Sequence, residues 1–208
     1  MKIIENGTIT DVKGIKATGI SAKLKKSGKK DMALIYSEEK AVSAAVFTKN
    51  LAKAAPIILD IKHIKNENTQ AIVVNSGNAN SCTGNTGLAN AKKMTELVAD
   101  KLGLKAEEVL VQSTGIIGVQ LDMGKIENGI EKVVENLSED GGIDAATAIM
   151  TTDTFVKQIC LEIEIGGKKA KVAGICKGSG MIHPNMATML SFTVTDVNIE
   201  KSLLQKMF

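Results

Sequence analysis

Aromatic residues are scarce in this 208-residue chain: tryptophan is absent, tyrosine occurs once and phenylalanine four times. That excludes a single-stranded nucleic-acid platform of stacked rings. The 26 basic and 23 acidic residues nearly cancel to a net charge of +3, which gives no field for nucleic acid or an acidic membrane surface. Histidine occurs only at His63 and His183, too few for a His-rich metal site. Cys82, Cys160 and Cys176 are odd in number and far apart. They lack the C-x-x-C spacing of a zinc or redox pair and read as reduced thiols of a cytoplasmic protein. No apolar run approaches membrane-spanning length, and Met1 to Gly7 lacks the apolar core of a signal peptide. What remains has an ordinary apolar fraction of 44%, enough for a core in one domain or two small ones.

Periodicity divides the chain into an α+β order. Ala17 to Ala22, Asp31 to Ser37 and Ala41 to Thr48 read as short strands, with the lysines between 23 and 30 on a solvated hairpin tip. Gln70 to Asn75 is an apolar strand followed by the polar loop Ser76 to Gly84. A helix then places Leu88, Ala91, Leu97, Val98 and Leu102 on one face, with Thr86 as its cap and Gly103 at its stop. Val109 to Gln112 is a strand, and Asp122 to Leu137 and Asp144 to Met150 are amphipathic helices. Ile159, Leu161, Ile163 and Ile165 alternate with polar residues up to Gly166-Gly167, a hairpin signal into Ala170 to Ile175. Ser191 to Val197 reads as a further strand, with Asn198 capping a helix two or three turns before Phe208. That ending is read either as a polypeptide that continues in a partner or in further sequence, or as a truncated product.

The segment Gly178-Ser179-Gly180-Met181-Ile182-His183-Pro184-Asn185-Met186-Ala187-Thr188-Met189-Leu190 carries the chemistry. Its glycines and Pro184 prevent regular structure before Ala187, and the apolar residues beyond Thr188 open a strand. In isolation it reads as a loop before a strand. Lys177 stands ahead of its glycines, the reverse of the P-loop order. A threonine hydroxyl at such a junction can attack the preceding carbonyl, and a break between Ala187 and Thr188 would free an α-amine to serve Thr188 as its own base. Ser113-Thr114-Gly115, at the end of the Val109 strand, is the second marked loop. In isolation it reads as a plain strand-ending turn.

Over essentially its whole length the chain resembles the N-terminal half of the ornithine acetyltransferase family of arginine biosynthesis. The matching blocks are Ala45 to Asn50, Val74 to Asn80 with Cys82-Thr83-Gly84, Ser113 to Gly118, Ile149 to Thr154 and Lys177 to Leu190. The resemblance implies a layered αββα sandwich of N-terminal-nucleophile type. It implies a precursor cut between Ala187 and Thr188 into an α chain, residues 1–187, and a β chain of which residues 188–208 are the start.

Thr188 would be the nucleophile, taking acetyl from N-acetylornithine and passing it to glutamate in ping-pong order, with Thr114 and Gly115 as the oxyanion hole. Thr154, Lys177 and Thr188 would bind substrate, Lys177 as the cation for a carboxylate. The asparagines Asn75, Asn78 and Asn80 are expected to be structural. No metal or cofactor is implied. Acetyl-CoA is the additional donor that separates bifunctional from monofunctional members. The expected partner is the β chain of the same precursor, in an α2β2 assembly, with no nucleic acid and no membrane. Two other readings stand beside this one: an N-terminal-threonine amidohydrolase or aminopeptidase with water as acceptor, and a non-catalytic assembly subunit.

Overall fold

Strands with apolar residues on both faces must be covered on both sides, and that requirement organises this protein. The structure, a computed structural model, describes residues 1–181 and 189–208. Its central sheet has the order β2 (Ile15–Ile20), β3 (Met32–Ala41), β4 (Thr69–Asn75), β5 (Val109–Ser113). The first two pairings are antiparallel and β4 runs parallel to β5. The crossover between β4 and β5 is α2 (Gly84–Leu102), the connection a parallel pair requires.

Alternate residues of the sheet divide between two cores. Met32, Leu34, Val73 and Val111 pack with Met94, Val98, Ile126 and Ile130, beneath α1 (Ala55–His63), α2 and α3 (Met123–Glu135). Ala17, Ala33, Ile35 and Val74 pack the other way, against Cys160, Ala173, Ile175 and Phe192. Those residues belong to a second, antiparallel sheet of order β1 (Lys2–Ile3), β6 (Lys157–Ile165), β7 (Lys168–Lys177), β8 (Leu190–Thr195). The short helix α4 (Gly142–Ala148) adds Ala145, Ala146 and Ala148 to this inter-sheet core. Helices, sheet and sheet thus stack in the expected mixed, layered order. The outward face of the second sheet leaves Ile3, Ile159 and Ile165 exposed.

Several elements form for reasons visible locally. Gly166 and Gly167 both adopt positive φ, +58° and +75°, the two-residue turn that closes the β6–β7 hairpin between Ile165 and Lys168. Asp122 caps α3 by accepting the Lys125 N–H at 3.2 Å, and Gly103 ends α2 in the left-handed conformation. The helix begins before Thr86, because Thr83 precedes Gly84 and gives its hydroxyl to Asn80 Oδ1 instead of capping. The last helix, α5 (Lys201–Met207), likewise starts after Glu200 and not at Asn198.

One expectation fails outright and another holds only in part. The strand over Ala41 to Thr48 is absent: β3 ends at Ala41, and residues 42–54 run without regular structure into α1, whose Pro56 sits in the first turn where its missing N–H costs nothing. The lysine-rich hairpin tip is also not simply solvated. Asp31 is fully buried and accepts the Ala22 and Lys25 N–H groups at 2.6 and 2.7 Å. Lys25 Nζ then reaches the carbonyls of Lys30 and Met150 at 2.9 and 2.7 Å, and burial lowers its pKa.

Asp60 of α1 has a measurable consequence. It is 1% exposed and accepts the Val111 N–H at 2.9 Å and the Gln112 side-chain amide at 2.7 Å. Burial raises its pKa from 3.8 to about 7 against those two bonds, so the fold favours the neutral carboxyl. A raised carboxylate pKa means the folded chain holds the proton longer than the unfolded one, so stability falls as pH climbs from about 4 to about 7. Asp60→Asn resembles the neutral carboxyl once the Gln112 amide turns over. It is expected to stabilise the protein at pH 8 by up to about 4 kcal/mol and to add little at pH 4. Urea unfolding at the two pH values checks this.

Candidate active site

The parallel pair β4 and β5 ends at one edge of the central sheet, and the loops that follow stay together. Thr114 N–H donates to Asn75 O at 2.9 Å, extending the ladder one step beyond β5. Further on, Ala79 N–H donates to Ile116 O and Gly118 N–H to Ser81 O, both at 2.9 Å. The asparagines of the first loop hold its shape. Asn75 Oδ1 accepts the Gly77 and Asn78 N–H groups while its Nδ2 donates to Ser113 Oγ at 2.7 Å. Asn78 donates to Val119 O at 2.9 Å, and Asn80 to Gly87 O at 2.8 Å. They bond to their own loops and neighbours, the structural role expected of them.

Gly115 shows why this position is glycine. Its φ is +130°, and a Cβ there would lie 2.6 Å from the Gly77 carbonyl carbon and 2.8 Å from Asn78 N. Both obstacles are backbone and cannot rotate away. Gly115→Ala is expected to destabilise the protein by about 2–4 kcal/mol and to displace the Thr114 hydroxyl, as thermal unfolding and a parallel activity assay would register.

These loops form one wall of an open cleft of about 2100 Å³. Thr114, Gly115, Lys177, Met181 and Met189 all line it. Lys177, at the end of β7, is 4% exposed and donates from Nζ to Thr114 Oγ1 at 3.3 Å, which ties the second sheet to the β5 loop of the first. Burial lowers the Lys177 pKa, with the Asp153 carboxylate acting in the opposite sense. Of the residues marked in the sequence, the structure thus brings Thr114, Gly115 and Lys177 together. It does not bring Thr154 to them: Thr154 is exposed and lies outside the cleft lining, whereas Thr151 and Thr152 line it. Ala187 and Thr188 lie outside the described residues, and Met181 and Met189 are the described residues on either side of that segment.

Asp153 is the participant that sequence reasoning passed over. Its carboxylate is fully buried and accepts the Gly178 N–H at 2.9 Å, the Thr151 N–H at 3.2 Å and the Lys157 ammonium at 2.6 Å. Burial works to raise its pKa, but these three donors prevail and hold it at about 2. The available signal was one acid among hydroxyl residues in Thr151 to Thr154. Among the described residues, no cluster of three or more His, Cys, Asp or Glu side chains could hold a metal ion, and no helix is long and apolar enough to cross a membrane.

A helical layer on one face of the central sheet and a second sheet on the other define a layered α+β two-sheet sandwich. The fold is shared, at 16% identity and a TM-score of 0.56, with the L-aminopeptidase D-Ala-esterase/amidase of Ochrobactrum anthropi, a variant of the Ntn hydrolase fold; this chain covers 66% of that one. The chain belongs to the ArgJ family, whose model matches residues 16–208. It is 54% identical over all 208 residues to the arginine biosynthesis bifunctional protein ArgJ of Caldanaerobacter subterraneus subsp. tengcongensis, of which it covers 51%. Among solved structures, it superposes with a TM-score of 0.83 on ArgJ from Bacillus halodurans, at 40% identity over 89% of this chain and 97% of that one. It superposes equally well on the ornithine acetyltransferase of Mycobacterium tuberculosis complexed with ornithine, at 37% identity, with 89% and 99% covered. The chain spans about half the length of the curated relatives it matches.

Proposed function

We propose that this chain is the N-terminal half of an acetyltransferase that moves acetyl from N-acetylornithine to glutamate through an acetyl ester on Thr188, after cleavage between Ala187 and Thr188. The observation that carries the reading is the Thr114–Gly115 turn facing the cleft with the buried Lys177 ammonium on its hydroxyl. Met189, the residue covalently next to Thr188, lines the same cleft.

In this mechanism Thr188 Oγ1 adds to the acetyl carbonyl while its α-amine takes the hydroxyl proton. The oxygen that becomes anionic lies against the Thr114 hydroxyl and the Gly115 N–H, donors already in place before the charge develops. The tetrahedral adduct collapses as the α-ammonium returns its proton to the departing nitrogen, releasing ornithine. Glutamate then enters with its amine against the ester and reverses the sequence, regenerating Thr188. Lys177 supplies the positive charge in a site that recognises amino-acid carboxylates. Acetyl-CoA as an additional donor belongs to the same proposal.

Cleavage has support in chain lengths. The aligned 89% of these 208 residues, about 185, fills 97% and 99% of the two solved relatives, so each of those chains is about 190 residues long. That is half the length of the curated relatives and close to position 187. The exposed apolar face bearing Ile3, Ile159 and Ile165 suits the remaining half, which would supply the outer layer and complete an α2β2 assembly.

The deciding experiment gives the uncut precursor labelled N-acetylornithine and glutamate and follows product by mass spectrometry. Labelled N-acetylglutamate, with a fragment beginning at Thr188, is the expected result. Free labelled acetate without N-acetylglutamate would instead identify an amidohydrolase.

A further inference from the structure

The loop after α4 carries a buried side chain, Asp153, that is outside the cleft lining. Asp153 joins two segments 25 residues apart: its Oδ1 receives the Gly178 N–H from the end of β7, and its Oδ2 receives the Thr151 N–H of its own loop. Gly178 is the residue directly after Lys177, whose Nζ sits on Thr114 Oγ1. The hydrogen bond donated to Asp153 by Gly178 therefore fixes the backbone from which the Lys177 side chain extends. Asp153 also supplies negative charge that faces Lys177 and Lys25, while Lys157 forms its ion pair.

We propose that Asp153 is a positioning residue for the oxyanion loop, holding the Lys177–Gly178 backbone so that the Lys177 ammonium remains on Thr114 Oγ1. The consequence is directional. An ammonium donating to Oγ1 occupies a lone pair of that oxygen and turns the hydroxyl hydrogen away from Lys177, toward the cleft where a developing oxyanion can receive it. A mobile Lys177 would let the Thr114 hydroxyl rotate and donate elsewhere. Thr154, adjacent in sequence, is exposed. The inference rests on the acetyl-transfer reading for its catalytic meaning, while the link from Asp153 to Lys177 is testable without it.

Two variants test it. Asp153→Ala in the full precursor is expected to lower kcat on the order of 10–100-fold, with any rise in KM reporting the carboxylate-binding share of Lys177. The same change made in a Thr114→Val background is expected to cost less than about twofold in kcat, because the hydroxyl it orients is already gone. An equal loss of kcat in both backgrounds overturns the proposal. Independently of activity, in this chain labelled at lysine Cε, Asp153→Ala, which removes the Gly178 acceptor, is expected to move the Lys177 titration further to lower pH than Asp153→Asn, which keeps an acceptor and removes only the charge. Equal Lys177 titrations in the two variants overturn the proposal. If the unsubstituted precursor fails to exchange acetyl, the functional reading falls and the lysine titration alone decides this one.

Discussion

Thr188→Ala is expected to abolish acetyl transfer, with kcat falling by about 10⁴-fold or more, and to leave the precursor as one uncut polypeptide. The size of the effect follows from one oxygen serving twice. On the proposed mechanism the hydroxyl would attack the Ala187 carbonyl before cleavage and carry the acetyl group after it. Removing an enzyme's nucleophile commonly costs between about 10⁴- and 10⁶-fold in kcat. Thr188→Ser retains the oxygen and is expected to keep both steps at reduced rate, which separates loss of the nucleophile from loss of the fold. Mass spectrometry of the purified precursor and the labelled exchange assay report the two steps separately. Normal cleavage and transfer by the alanine variant would remove Thr188 from the mechanism and favour an assembly role.

Thr114→Val should lower kcat by about 10²–10³-fold with KM little changed, the loss expected when one oxyanion donor, worth about 3–4 kcal/mol, is removed. Valine nearly matches the shape of threonine in this buried position, 6% exposed, so the packing beneath the loop is preserved. The change removes the hydroxyl and with it the oxygen on which Lys177 Nζ sits at 3.3 Å. Thr114→Ser is expected to recover most of the rate, since it restores that oxygen at the same depth. Steady-state kinetics in both directions of the exchange would show equal losses, because acylation and deacylation pass through oxyanions of the same geometry. A loss confined to KM would instead make Thr114 a binding residue.

Elements whose signal is local were legible in sequence. The β6–β7 hairpin has two consecutive glycines that accept positive φ, α3 has an acidic cap and a helical apolar stripe, and α2 ends on a left-handed glycine. The stretch from 41 to 54 misled because its apolar residues suit a strand. In the structure they line the cleft edge and no neighbouring strand pairs with them beyond Ala41. The helix α1 escaped notice because Pro56 reads as a breaker unless its place in the first turn is known. In the site, Thr114, Gly115 and Lys177 were marked through the family resemblance; read alone, the first two are a strand-ending turn and Lys177 a solvated loop lysine, whereas the structure buries it. Asp153 was not legible, because its importance lies in the Gly178 N–H, a backbone group distant in sequence.

By itself, the sequence determined the local alternation, the turns, and the family to which its matching blocks point. All of these follow from residues close together in the chain. Only the tertiary structure decided which face of each strand is inside. Along β6 the alternating isoleucines turn outward, leaving Ile159 and Ile165 exposed, while Cys160 is fully buried between the sheets. Period-two alternation identifies two faces without saying which one is covered, because that depends on the partner that stacks against it. The tertiary structure likewise turned Lys25 inward and left Thr154 outside the cleft. It also set Lys177 on Thr114 across 63 residues of chain, a contact created by the stacking of two sheets that no local pattern encodes.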